Sequence, residues 1–138
     1  MLSDNVKKWI KYSKNDLDLS IDEMNRNVIS KHKRYEAILY HCQQSAEKVL
    51  KAYIIHNGST QWGHDLETIR AKCALYDVSF NGERIRGHCN YLTHFIAARY
   101  PDFRMSVDAS NATRAINSAK RIFDFTIKKI GLNPVYFR

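Results

Sequence analysis

Glycine and proline are scarce: the 138 residues include five Gly and two Pro. A many-stranded β fold needs tight turns at short intervals, and so few turn-formers cannot supply them. Long helices with few connections are expected instead. No apolar run approaches the roughly 18 residues that cross a bilayer, and the opening Met1-Leu-Ser-Asp4 starts no apolar stretch of signal-peptide kind. A cytoplasmic protein without membrane contact is expected. Cysteine is limited to Cys42, Cys73 and Cys89, an odd number with no Cys-x-x-Cys and no His at ligand spacing. These read as small core hydrophobes, not disulfides or metal ligands. A Gly-rich phosphate loop, a Gly-x-Ser-x-Gly elbow and a His-Glu-x-x-His helix are also missing. No metal and no other cofactor is expected.

What is present is positive charge. Lys and Arg number 22 against 14 Asp and Glu, a formal net charge of +8. Such a field favours anionic partners: nucleotides, RNA, DNA or an acidic protein surface. Excess lysine also solvates a surface with no partner at all, so charge alone decides nothing.

Hydrophobic spacing predicts one all-α domain over residues 1–138, five helices around one core. Val6, Ile10, Ser13, Leu17, Ile21, Met24 and Val28 recur at helical spacing and draw one face from Asp4 to Val28, with Ser3 as N-cap. The basic stretch Lys31-His-Lys-Arg34 makes the first connection, either as an ordinary basic turn or as an electrostatic contact for a polyanion. A second helix, Tyr35 to His56, carries two adjoining stripes. One is Ile38, Cys42, Ser45, Val49 and Ala52; the other is Leu39, Ala46, Leu50 and Tyr53. That wide face suits a central helix, stopped at Asn57-Gly58. A short helix opens at His64-Asp65 with Leu66, Ile69, Cys73 and Tyr76 on one side. A fourth starts near Asn81, carries Ile85, Cys89 and Leu92, and ends at Tyr100 because Pro101 disfavours helix there. The last, capped by Ser106 or Asp108, runs to Ile130 along Ala112, Ala115, Ile116, Ala119, Ile122, Phe123 and Ile127, and is closed by Gly131 and Pro134.

The run Tyr40-His-Cys-Gln-Gln-Ser-Ala-Glu-Lys-Val-Leu-Lys-Ala52 resembles the signature helix of the HEPN family (higher eukaryotes and prokaryotes nucleotide-binding). Gly63-His64-Asp65-Leu66, Arg99-Tyr100-Pro101-Asp102, Trp9 and Asp16-Leu17 fall in the family's order. The resemblance implies an up-and-down bundle of four main helices plus one short helix, commonly dimeric, that binds a nucleotide or RNA and works beside a separate minimal nucleotidyltransferase protein. The candidate binding residues are Gln43, Gln44, Glu47, Lys48, Lys51, His64, Arg99 and Tyr100.

Read chemically, Gln43, Glu47 and Lys51 lie at i, i+4 and i+8 on one helix face, with Gln44 and Lys48 beside them. They form a solvated polar face, a network within the fold or an interface, or a ligand contact in which amides read a base edge and lysines hold phosphate. Arg99 is expected either to pair with Glu47 or to hold an anion. His64 serves as a cap or core residue, or as a ligand contact.

The family's ribonucleases carry an Arg followed, after four to six residues, by His. Arg26–His32 and Arg34–His41 fit, but ten Arg and six His give about one such match by chance. In the later helical region, where the nuclease members carry the motif, the spacing fails. Three residues separate Arg84 from His88 and seven separate Arg86 from His94. Arg34 and His41 remain the candidate catalytic pair, on one helix face. An RNase toxin of a toxin–antitoxin pair and a pure protein-interaction module are the alternatives to nucleotide binding.

Overall fold

A computed structural model describes residues 2–26, 34–95 and 107–137. Among them are five α-helices and no strand: α1 (Asp4–Asn25), α2 (Tyr35–His56), α3 (Leu66–Ala74), α4 (Glu83–His94) and α5 (Ala109–Ile130). Short 3-10 turns occupy Val78–Asn81 and Pro134–Phe137. No described helix is long and apolar enough to cross a membrane.

Most residues of the expected stripes are buried, though Ile21 and Met24 of α1 are only partly so. Both stripes of α2 are inside, and α2 packs against α1, α3, α4 and α5. A helix touching four others must be apolar over most of its circumference, which is why its pattern is wide. Helix α1 lies antiparallel to α2, since Trp9 meets Lys51, Ser13 meets Ser45 and Asp16 meets His41. Ser13 and Ser45 meet between the two helices, where the Ser13 hydroxyl donates to the Ser45 carbonyl at 2.7 Å. Small side chains let the backbones come together, and the buried hydroxyl has found its acceptor.

The helix ends follow capping chemistry. Ser3 accepts from the Val6 amide and Asp108 from the Asn111 amide, the latter in a reciprocal capping box. Gly131 closes α5 at φ 99°, a left-handed conformation that favours glycine.

Several expectations are corrected. Helix α1 stops at Asn25, with Arg26 extended; Val28 lies outside the described residues. Asp65, not His64, caps α3, accepting from the Thr68 amide, because a carboxylate is a far better N-cap than an imidazole. Helix α3 ends at Ala74, so Tyr76 falls beyond it and is 39% exposed. Helix α4 starts at Glu83, after the 3-10 turn instead of at Asn81. The basic residues 31–33, Ser106 and the Arg99–Asp102 segment lie outside the described residues.

All three cysteines are buried and free. Burial pushes the Cys42 and Cys89 thiols up to about 12, and Cys73 rises as well. Thiols held so far from ionisation are poor nucleophiles.

Candidate functional site

The signature helix carries two polar networks, and each ties α2 to another part of the chain. The first is centred on Glu47, a carboxylate only 3% exposed. Lys51 Nζ donates to its Oε2 at 3.2 Å, and the His64 ring Nδ1 lies 3.1 Å from the same oxygen. Lys51, itself buried, also donates to the Gly63 carbonyl at 2.6 Å. Gln43 Nε2 reaches the His64 carbonyl at 3.5 Å, and Gln44 Nε2 donates to Gln43 Oε1 at 3.0 Å. A buried ion pair is tolerable only when further hydrogen bonds satisfy its remaining atoms. The loop before α3 supplies them. Gly63, at φ 92°, turns its carbonyl to Lys51; His64 covers Glu47; Asp65 caps α3; Leu66 is buried. The four residues of this loop motif thus have four separate structural tasks.

The second network is centred on Asp16, also buried. It accepts from His41 Nδ1 at 2.9 Å and from Lys48 Nζ at 2.5 Å, linking α1 to α2. His41 lies edge-on to Tyr40, with ring centroids 5.3 Å apart. Arg34, Glu36, Tyr40 and His41 line a hollow of about 390 Å³. Helical spacing therefore does bring Arg34 and His41 to one place, and Asp16 holds the imidazole there. With Nδ1 engaged, proton exchange is left to Nε2.

Lys48 and Lys51 have lost their freedom as phosphate ligands. Each ammonium is committed to a buried carboxylate, and Lys51 to a carbonyl as well. Glu47 pairs with Lys51 and His64; Arg99 and Tyr100 lie outside the described residues.

What the networks hold open is a cleft of about 430 Å³ between the start of α1, the end of α2 and the loop before α3. Trp9 and Ile55 give it apolar walls, Asn5, Thr60 and Gln61 give it polar edges, and Trp62 stands at its mouth. Trp62 is 86% exposed, the most open large hydrophobic side chain described, and Trp9 is half-buried beneath the Lys51 ammonium, 5.8 Å from its ring centre. Both tryptophans of the chain line this one cleft. Trp62 was missed in the sequence because a single aromatic in a loop has no periodicity to mark it. Among the described residues no cluster of His, Cys, Asp or Glu has the geometry of a metal site.

Comparison with known proteins places the fold. The HEPN domain model matches residues 6–130. The crystal structure of TT1696 from Thermus thermophilus is similar with a TM-score of 0.73 at 21% identity, covering 92% of this chain and 99% of that one. The structure of ST0689, an archaeal HEPN homologue, gives 0.68 at 22% identity, covering 91% and 97%. At such identities the likeness is one of fold. No curated protein matches the sequence significantly.

Proposed function

The chain belongs to the HEPN family, and from that premise we propose that it binds a nucleotide or single-stranded RNA by its base, in the cleft between Trp9 and Trp62. The observation that carries this reading is the pair of indoles in one cleft, with Trp62 left 86% exposed. An indole held so far into water has little part in the core, and an aromatic face beside polar edges suits a nucleobase. The base stacks on the ring, and amides such as Asn5 and Gln61 meet its hydrogen-bonding edge. Phosphates are attracted by the net charge of +8, with Lys8 exposed one residue from Trp9. The chain acts as a homodimer beside a separate minimal nucleotidyltransferase, which supplies any transfer chemistry.

A second reading, an RNA-cleaving toxin restrained by that partner, draws on the Arg34–His41 hollow. There Asp16 orients a general base and Arg34 holds phosphate. Lys48 shares the same carboxylate, which weakens the pull of Asp16 on the imidazole. Base binding is the better supported of the two.

Intrinsic tryptophan fluorescence tests it, since both emitters lie in the cleft. Titration with ATP, GTP, UMP or a ten-nucleotide RNA is expected to quench emission saturably. Ribose 5-phosphate, which has no base, should not. Absence of a saturable change with every base-bearing ligand would reject the proposal.

A further inference from the structure

The seam between α4 and α5 is a charged surface on different elements from those of the tryptophan cleft. On α5, Arg114, Ser118 and Arg121 fall at i, i+4 and i+7 and so share one face. On α4, Arg84, His88 and Tyr91 do the same. The two strips meet where His88 Nδ1 lies 3.0 Å from Ser118 Oγ. Arg114 lies over Tyr91, its guanidinium carbon 4.2 Å from the ring centre, and the Tyr91 hydroxyl donates to the Asn111 carbonyl at 3.2 Å. A guanidinium over an aromatic face is held near it by the attraction between the cation and the ring.

The arginine charges converge on His88. Partial burial first, then Arg121 and Arg114, hold its imidazole below the ordinary 6.5. Among the described residues no ion pair joins a carboxylate to Arg84, Arg114 or Arg121. Arg26 and Arg70, by contrast, pair with Glu23 and Glu67. Among the described residues the seam arginines have no such partner.

We propose that this seam is a second site, one that holds the phosphodiester backbone of single-stranded RNA through Arg114 and Arg121. Seven residues on a helix span about 10 Å, a distance over which two guanidiniums meet an extended chain of phosphates more readily than one small anion. The planar donor edge of arginine matches a phosphate's oxygens in pairs. An acidic protein segment is the competing occupant.

The test is fluorescence anisotropy with 5′-labelled decauridylate over a series of salt concentrations. It compares wild type with Arg114→Ala/Arg121→Ala, Trp62→Ala and, as an equal loss of charge on α1, Lys7→Ala/Lys11→Ala. Each single-strand phosphate contact contributes about 0.7 to the slope of log K against log salt. The arginine double variant is therefore expected to lose about 1.4 of that slope. Trp62→Ala should weaken binding with its slope unchanged, and the lysine control should alter neither.

An unchanged slope in the arginine variant, or an equal fall in the lysine control, would overturn the proposal. Loss of polyglutamate binding with RNA binding intact would overturn it in favour of the protein occupant. If the arginine variant loses slope while Trp62→Ala binds as wild type does, the seam stands and the cleft reading falls. If wild type binds no RNA, both fall.

Discussion

Glu47→Ala is expected to destabilise the protein by about 3–5 kcal/mol, the usual cost of leaving a buried charge without its partner. The charge left behind is the Lys51 ammonium, whose side chain is 9% exposed. Its remaining acceptor, the Gly63 carbonyl, is neutral and cannot replace a carboxylate. Changing both partners gives a different outcome. Glu47→Leu/Lys51→Met fills the same space with apolar groups, and such replacements are often neutral or stabilising. The double variant should therefore lie within about 1 kcal/mol of wild type. His64→Ala, which removes an imidazole 73% exposed, should cost less than the Glu47 change because solvent screens that contact. Urea unfolding of the four proteins measures this. Equal losses in single and double variants would mean that the pair is not an internal clasp.

Trp62→Ala is expected to leave stability unchanged within about 0.5 kcal/mol, as surface substitutions do. It should weaken nucleotide or RNA binding by about 1–3 kcal/mol, the measured worth of one base stacked on an aromatic ring. That is a factor of roughly 5 to 150 in Kd. The separation of the two effects is the informative part. Trp9 is packed against the core, so its removal would disturb fold and site together. Trp62→Phe keeps a flat face and should retain much of the affinity. Isothermal titration of the three proteins with the same short RNA gives the comparison, and equal affinities would remove Trp62 from the site.

Helices α2 and α5 were legible because their apolar residues repeat over 22 positions each, long enough for a 3.6-residue period to stand out. The 3-10 turns were not. Phe80 is fully buried against Tyr53 and Phe125, yet it sits in a four-residue 3-10 turn where no period exists. Asp16 looked like half of a family dipeptide. Its burial depends on His41 and Lys48, partners 25 and 32 residues away that only the antiparallel packing of α1 and α2 brings near.

Glu47 and Lys51 were visible as one helix face from their i, i+4 spacing, with a solvated face, a fold or interface network and a ligand contact all left open. The burial that raises their importance comes from the Gly63 loop folding over them. The same loop carries Trp62 outward. The residues that resembled the family most strongly are thus the framework of the candidate site, while its exposed aromatic came from a stretch with no pattern.

The chain has two tryptophans, and a ¹H–¹⁵N spectrum therefore holds two indole signals, assignable by their loss in Trp62→Ala. Titration with a short single-stranded RNA, followed on those two signals, tests base binding in the cleft most directly. Both are expected to shift in a saturable, concentration-matched way, with Trp62 moving further. Backbone signals that shift elsewhere while both indoles stay fixed would contradict it, and so would a spectrum that does not change at millimolar ligand.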